Sequence, residues 1–172
     1  ALSFRSLIPA EDKRFFFTDD VLKIFSDTEG IWFITKKNIF LYHAGKLEVF
    51  PSELEIISAY QVRDQFFLQV KEKGLVRYLN RKMVSVPHGE MVSGAIEIKA
   101  MLPYPDQQIM IATGTQGLYL LDSKGVNKFN NPAGEFFMRS LITCGVALSD
   151  GTYAIGTSRN GVIVISPDGT IL

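Results

Sequence analysis

Short apolar runs, rich in β-branched and aromatic side chains, alternate along the chain with polar clusters that contain Gly, Asn, Asp or Pro. Ile31-Trp32-Phe33-Ile34-Thr35, Phe66-Phe67-Leu68-Gln69-Val70, Ile109-Met110-Ile111-Ala112-Thr113 and Tyr153-Ala154-Ile155-Gly156-Thr157 have the length and composition of strands. No segment holds an apolar i, i+3, i+4, i+7 pattern for about ten residues, apart from a weak instance around Asp19 to Phe25, so a helical solenoid is excluded.

The runs repeat. Gly74, Gly117 and Gly161 lie 43 and 44 residues apart, and each opens a second β-rich run; Asn38 opens an earlier copy with Ile39-Phe40-Leu41-Tyr42. Three to five polar residues ending in Gly or Asn join the two runs, which predicts a hairpin with a residue at positive φ. A further run precedes each hairpin: Val21 to Phe25, Ile56 to Val62, Ile96 to Leu102 and Leu141 to Leu148. A more polar strand follows each one, after turns at Gly45-Lys46, Asn80-Arg81, Lys124-Gly125 and Asp168-Gly169. Four antiparallel strands per unit, at a spacing of about 36 to 44 residues, are what a propeller blade requires. The expected fold is all-β, a partial β-propeller of about four four-stranded antiparallel blades. A lead-in segment covers residues 1–19, and the blades cover 20–50, 51–90, 91–133 and 134–172, the last cut short. Four blades make at most a small ring, so an open arc from a longer chain is expected, with edges able to pair with a second copy.

Asp150-Gly151-Thr152-Tyr153-Ala154-Ile155-Gly156-Thr157 with Gly161-Val162, and Gln108 to Thr113 with Gly117-Leu118, resemble the two-component regulator propeller repeat, D-G-x-I-W-I-G-T-x-x-G-L. Gly30-Ile31-Trp32-Phe33 is similar to its middle, and the order of the units, with Phe4-Arg5-Ser6-Leu7 leading into them, is similar to the central part of Bacteroidetes sensor and regulator proteins with a three-tyrosine domain. The resemblance covers nearly the whole chain. It implies a periplasmic propeller followed by a membrane span and a cytoplasmic histidine kinase or DNA-binding regulator; a cytoplasmic location is the alternative. The second unit departs from the repeat, with Asp64-Gln65 at the Asp-Gly turn and Gln69-Val70 at the Gly-Thr pair.

Composition narrows the chemistry. Eighteen basic and eighteen acidic side chains cancel, which leaves no field to gather nucleic acid or anionic lipid. The apolar runs are too short to span a membrane, and no export signal is visible. Cys144 is the single cysteine, so no internal disulfide and no paired-cysteine zinc site is available. Its apolar surroundings, Leu141 to Leu148, predict a buried structural thiol.

Candidate chemistry is sparse. His43 and His88 have no second ligand at metal spacing, so no metal or cofactor is expected. No G-x-S-x-G turn presents a nucleophile. Asp19-Asp20 and Glu53 with Glu55 read as solvated carboxylates. Gly156 to Gly161 lacks the lysine and the helix of a phosphate loop and reads as a hairpin turn. Phe15-Phe16-Phe17 reads as linker packing on the first blade. Aromatics on strands, Trp32 first among them, read as core.

If the propeller binds a ligand, blade geometry gathers the hairpin turns and blade links on one face. That face carries Lys36, Lys37, Lys71, Lys73, Gln116, Ser158, Arg159 and Asn160, with His88 and Glu90 from a link. It is polar and locally basic, suited to an acidic or hydroxyl-rich molecule. The function expected is a non-catalytic sensor or recognition propeller that binds a small molecule or saccharide, or relays another protein's position. The rivals are a protein-interaction scaffold, which would present an apolar patch, and a propeller hydrolase or lyase, which needs clustered histidines and carboxylates.

Overall fold

The computed structural model describes residues 20–172; the lead-in residues, Phe4 to Leu7, the Phe15-Phe16-Phe17 run and Asp19 lie outside them. Fifteen strands form four antiparallel sheets, each with its strands side by side in chain order. The first holds β1 (Val21–Ser26), β2 (Ile31–Thr35), β3 (Asn38–His43) and β4 (Lys46–Pro51). The second holds β5 (Ile56–Val62), β6 (Gln65–Val70), β7 (Gly74–Leu79) and β8 (Lys82–Ser85). The third holds β9 (Ile98–Pro103), β10 (Ile109–Thr113), β11 (Gly117–Asp122) and β12 (Gly125–Lys128). The fourth holds β13 (Ile142–Ala147), β14 (Tyr153–Thr157) and β15 (Gly161–Ile165), with an Ile165–Ile171 bridge opening a further strand. The innermost strands β1, β5, β9 and β13 touch in succession, so the sheets stand as consecutive blades of an arc. The fold is an all-β partial propeller.

Blades stack because each interior sheet buries both faces. Side chains alternate along a strand, so an unbroken apolar run supplies two opposed apolar surfaces. Trp32, Ile34, Ile39 and Leu41 meet Leu68, Val70 and Val76 of the second blade. The opposite face of that blade, Tyr60, Phe67 and Leu75, meets Met101, Ile109, Ile111 and Tyr119. Ala100, Leu102, Met110, Ala112 and Leu118 then meet Ile142, Tyr153, Ile155 and Ile165. Hydroxyls pin the seams at their edges, Tyr60 donating to the Ile98 carbonyl at 2.6 Å and Tyr153 to that of Pro103 at 3.1 Å.

The hairpin turns share one device. The Thr113 hydroxyl donates to the Gly117 carbonyl (2.7 Å) and accepts the Gln116 amide (3.1 Å). Thr157 does the same with Gly161 and Asn160, and Thr35 with both backbone groups of Asn38. The threonine of the repeat is thus a turn clamp, absent only where Val70 takes its place.

The adjacent departure, Gln69, has its own cause. Elsewhere the first amide of a new blade donates to the turn of the blade before it: Ile56 to the Lys36 carbonyl (2.8 Å) and Ile142 to that of Gly114 (3.0 Å). Between the second and third blades the link carries a 3-10 helix, Gly89–Val92. Here the buried Gln69 carboxamide replaces the turn. Its oxygen accepts the Ile98 amide (3.2 Å), and its nitrogen donates to the carbonyls of Val92 (2.9 Å) and Ile96 (2.6 Å). Gly74, at φ 76°, lets the link press onto β7, since a Cβ there would collide with the Gly89 carbonyl.

Two features differ from the sequence expectation. A short helix, α1 (Gly134–Ser140), lies in the last blade link and buries Phe137 in the third seam. Seven residues are too few to show a helical period in sequence. Cys144 is exposed, not buried. It projects from β13 over Gly156 on the face turned away from the third blade, beside Val146 (53% exposed) and Val162 (69%). The apolar run Leu141 to Leu148 has one buried side and one open side.

Replacing Gln69 with Leu strands three buried backbone groups, and a loss of about 2–4 kcal/mol is expected. Urea unfolding of the two proteins measures it, as a lower midpoint at unchanged slope. A loss under about 1 kcal/mol would mean the link is held by packing instead.

Candidate functional site

Up-and-down strand order sends every β2–β3-type turn and every blade link to the same end of the arc. The backbone stitches them together there. Ser52 donates to the Lys37 carbonyl (2.7 Å), Lys71 to Glu55 (2.8 Å), Gly114 to Glu97 (2.9 Å) and Ser158 to Leu141 (3.0 Å). Loop side chains on this face therefore stand on a braced platform.

Lys36, Lys37 and Lys71 come together around one carboxylate. The Lys71 ammonium lies 3.1 Å from Glu55, and both side chains are largely exposed. The hydrogen bond and charge of Lys71, with lesser contributions from Lys36 and Lys37, hold the Glu55 carboxyl below its usual range. Three ammonium groups against one carboxylate leave the cluster cationic, and its openness keeps it available to an anion.

The remaining predicted residues divide. Lys73 belongs to a groove at the outer rim between the first two blades. His88, at φ 56°, is exposed, 3.9 Å from Glu90. Gln116 lines a hollow of about 190 Å³ with Lys128, Asn131, Glu135 and Met138. Arg159 donates to the Arg139 carbonyl (3.2 Å) and Asn160 to the Ser140 hydroxyl (2.8 Å), so both fasten the end of α1. Ser158 supplies the backbone stitch to Leu141.

One pair escaped the sequence reading. Glu97 and Lys99 meet at 2.7 Å beside a hollow of about 230 Å³ lined by Gly114, Thr115, Leu141 and Thr143. The signal was available. Glu97 stands immediately before Ile98 as Glu55 stands before Ile56, so each glutamate occupies the same step of the repeat.

Among the described residues, no three His, Cys, Asp or Glu gather at metal-binding range, and no helix is long and apolar enough to cross a membrane. His43 ends β3 and His88 lies in a blade link, so neither stands on an innermost strand.

Radial four-stranded meanders with buried seams and a loop-built face define a β-propeller arc. No family model matches the chain, and no curated protein matches it. Solved structures do. The extracellular domain of the hybrid two-component system BT3049 from B. thetaiotaomicron superposes with a TM-score of 0.67 at 18% identity, over 91% of this chain and 22% of that one. The extracellular domain of BT4673 from the same organism gives 0.64 at 18%, over 95% and 22%. Virginiamycin B lyase from Staphylococcus aureus gives 0.62 at 11%, over 88% and 54%. The chain thus spans about a fifth of the two extracellular domains, and the shared feature is the propeller fold.

Removing the Lys71 ammonium, as Lys71→Met, is expected to raise the Glu55 pKa toward its usual value, read by NMR titration of the carboxyl carbon. The sign follows from linkage: a depressed folded pKa means that the interaction is present at neutral pH and is lost as pH falls through that value. An unmoved Glu55 titration would assign the depression to Lys36 and Lys37.

Proposed function

We propose that this arc is part of a recognition propeller in the extracellular or periplasmic sensing region of a bacterial two-component-type regulator, with no catalysis of its own. The observation that carries this reading is the Lys36, Lys37 and Lys71 cluster around Glu55, on the braced face of a fold shared with two such extracellular domains. An acidic or hydroxyl-rich small molecule or saccharide is the ligand class that suits it. Binding that prefers one arrangement of the propeller and its neighbouring domain biases that arrangement, and the bias is the signal.

A protein-interaction scaffold is the second reading, favoured by the exposed apolar side chains of Leu79 and Val84 on β7 and β8. A lyase reading gains nothing from the two dispersed histidines.

A thermal-shift screen of this chain against sugar acids, neutral saccharides and organic acids separates the two. A ligand at a hundred times its Kd stabilises by about 2.7 kcal/mol. The Lys36→Ala/Lys37→Ala/Lys71→Ala variant is expected to lose that shift. Absence of a shift with every compound, or a shift the variant keeps, moves the assignment to the scaffold.

A further inference from the structure

A groove of about 470 Å³ runs along the outer rim between the first two blades. Its floor is apolar, with Phe50, Leu54 and Met83. Cations stand at both ends. Lys73 lies where β7 begins, and Lys82 lies just past the turn that ends it, so they are separated by six strand residues, about 20 Å at 3.3 Å per residue. Neither lysine makes an ion pair among the described residues, and Glu53 is the one acid on the groove wall.

Two features of the groove cost stability. The Tyr78 hydroxyl is buried with no hydrogen-bond partner among the described residues, and burial pushes its pKa up to about 12, so it stays a donor. Phenylalanine would avoid that penalty. The β7–β8 turn places Asn80 and Arg81 at φ 49° and 63°, where glycine is the relaxed choice. That turn sets the Arg81 guanidinium over the rings of Trp32 (4.8 Å) and Phe50 (5.3 Å), paired with Glu29, which closes one end of the groove.

We infer that this groove is a docking site for an extended acidic peptide segment of a partner protein, distinct from the face built around Glu55. Charge complementarity selects acidic side chains for Lys73 and Lys82. Alternate apolar side chains of an extended segment fall on Phe50, Leu54 and Met83, because a strand directs successive residues to opposite sides. The groove is one strand long, and β4 and β8, which border it, pair with no further strand among the described residues. The backbone groups along these edges meet the polar atoms of a peptide main chain.

The test is fluorescence anisotropy of a fluorescein-labelled hexapeptide of alternating Glu and Leu, titrated with this chain at low and moderate salt. The Glu/Leu peptide is expected to bind, and the matching Lys/Leu peptide is not. Lys73→Ala/Lys82→Ala should weaken binding at least tenfold, and the Lys36→Ala/Lys37→Ala/Lys71→Ala variant should leave it within twofold. No binding, an unchanged affinity in the Lys73 and Lys82 variant, or full displacement by millimolar succinate overturns the proposal. The last result would assign the groove to small dicarboxylates. Loss confined to the triple variant would also overturn it, and would leave the Glu55 face as the anion site.

Discussion

Burial of both faces of every interior sheet is the constraint on which the arc depends. A single meander of this size offers little apolar area and would be marginal alone. Stacked radially, each blade becomes the floor for the next, and alternation along β2, β6, β10 and β14 supplies matching surfaces from one run of residues. The constraint also explains why the second strands β2, β6, β10 and β14 read as almost continuously apolar while the rim strands β4, β8 and β12 read as polar: the rim has water on one side.

Much of this was legible in the sequence because burial repeats with the blade. The glycine and asparagine positions at Asn38, Gly74, Gly117 and Gly161 mark the third strand of all four blades, and Trp32, Phe67 and Tyr119 are core as their strand positions predict. Three details were not legible. Helix α1 is shorter than two full periods of the pattern that would announce it. The orientation of Cys144 depends on which side of β13 has a neighbour, and an apolar run does not encode that. The glutamates before β5 and β9 look like ordinary linker carboxylates until Lys71 of a hairpin turn meets the first and Lys99 of β9 the second.

The candidate surfaces differ in what holds them. Around Glu55, exposed side chains sit on a backbone platform of turn-to-link hydrogen bonds, so charge varies easily there while geometry does not. Along the rim, side chains themselves form the wall, with Arg81 wedged between two rings and a glutamate. A substitution on the first surface alters attraction; one on the second alters shape.

The Gln69 tether separates the length of a blade link from the register of the blade that follows. A new blade needs one acceptor for its first amide, and either a turn carbonyl or a side-chain amide at the neighbouring position serves. Links can therefore gain a 3-10 turn or a whole helix, as they have before β9 and β13, without rotating the next sheet about the axis. Insertions in such a chain accumulate as surface relief at one end of the arc, while its curvature is inherited unchanged.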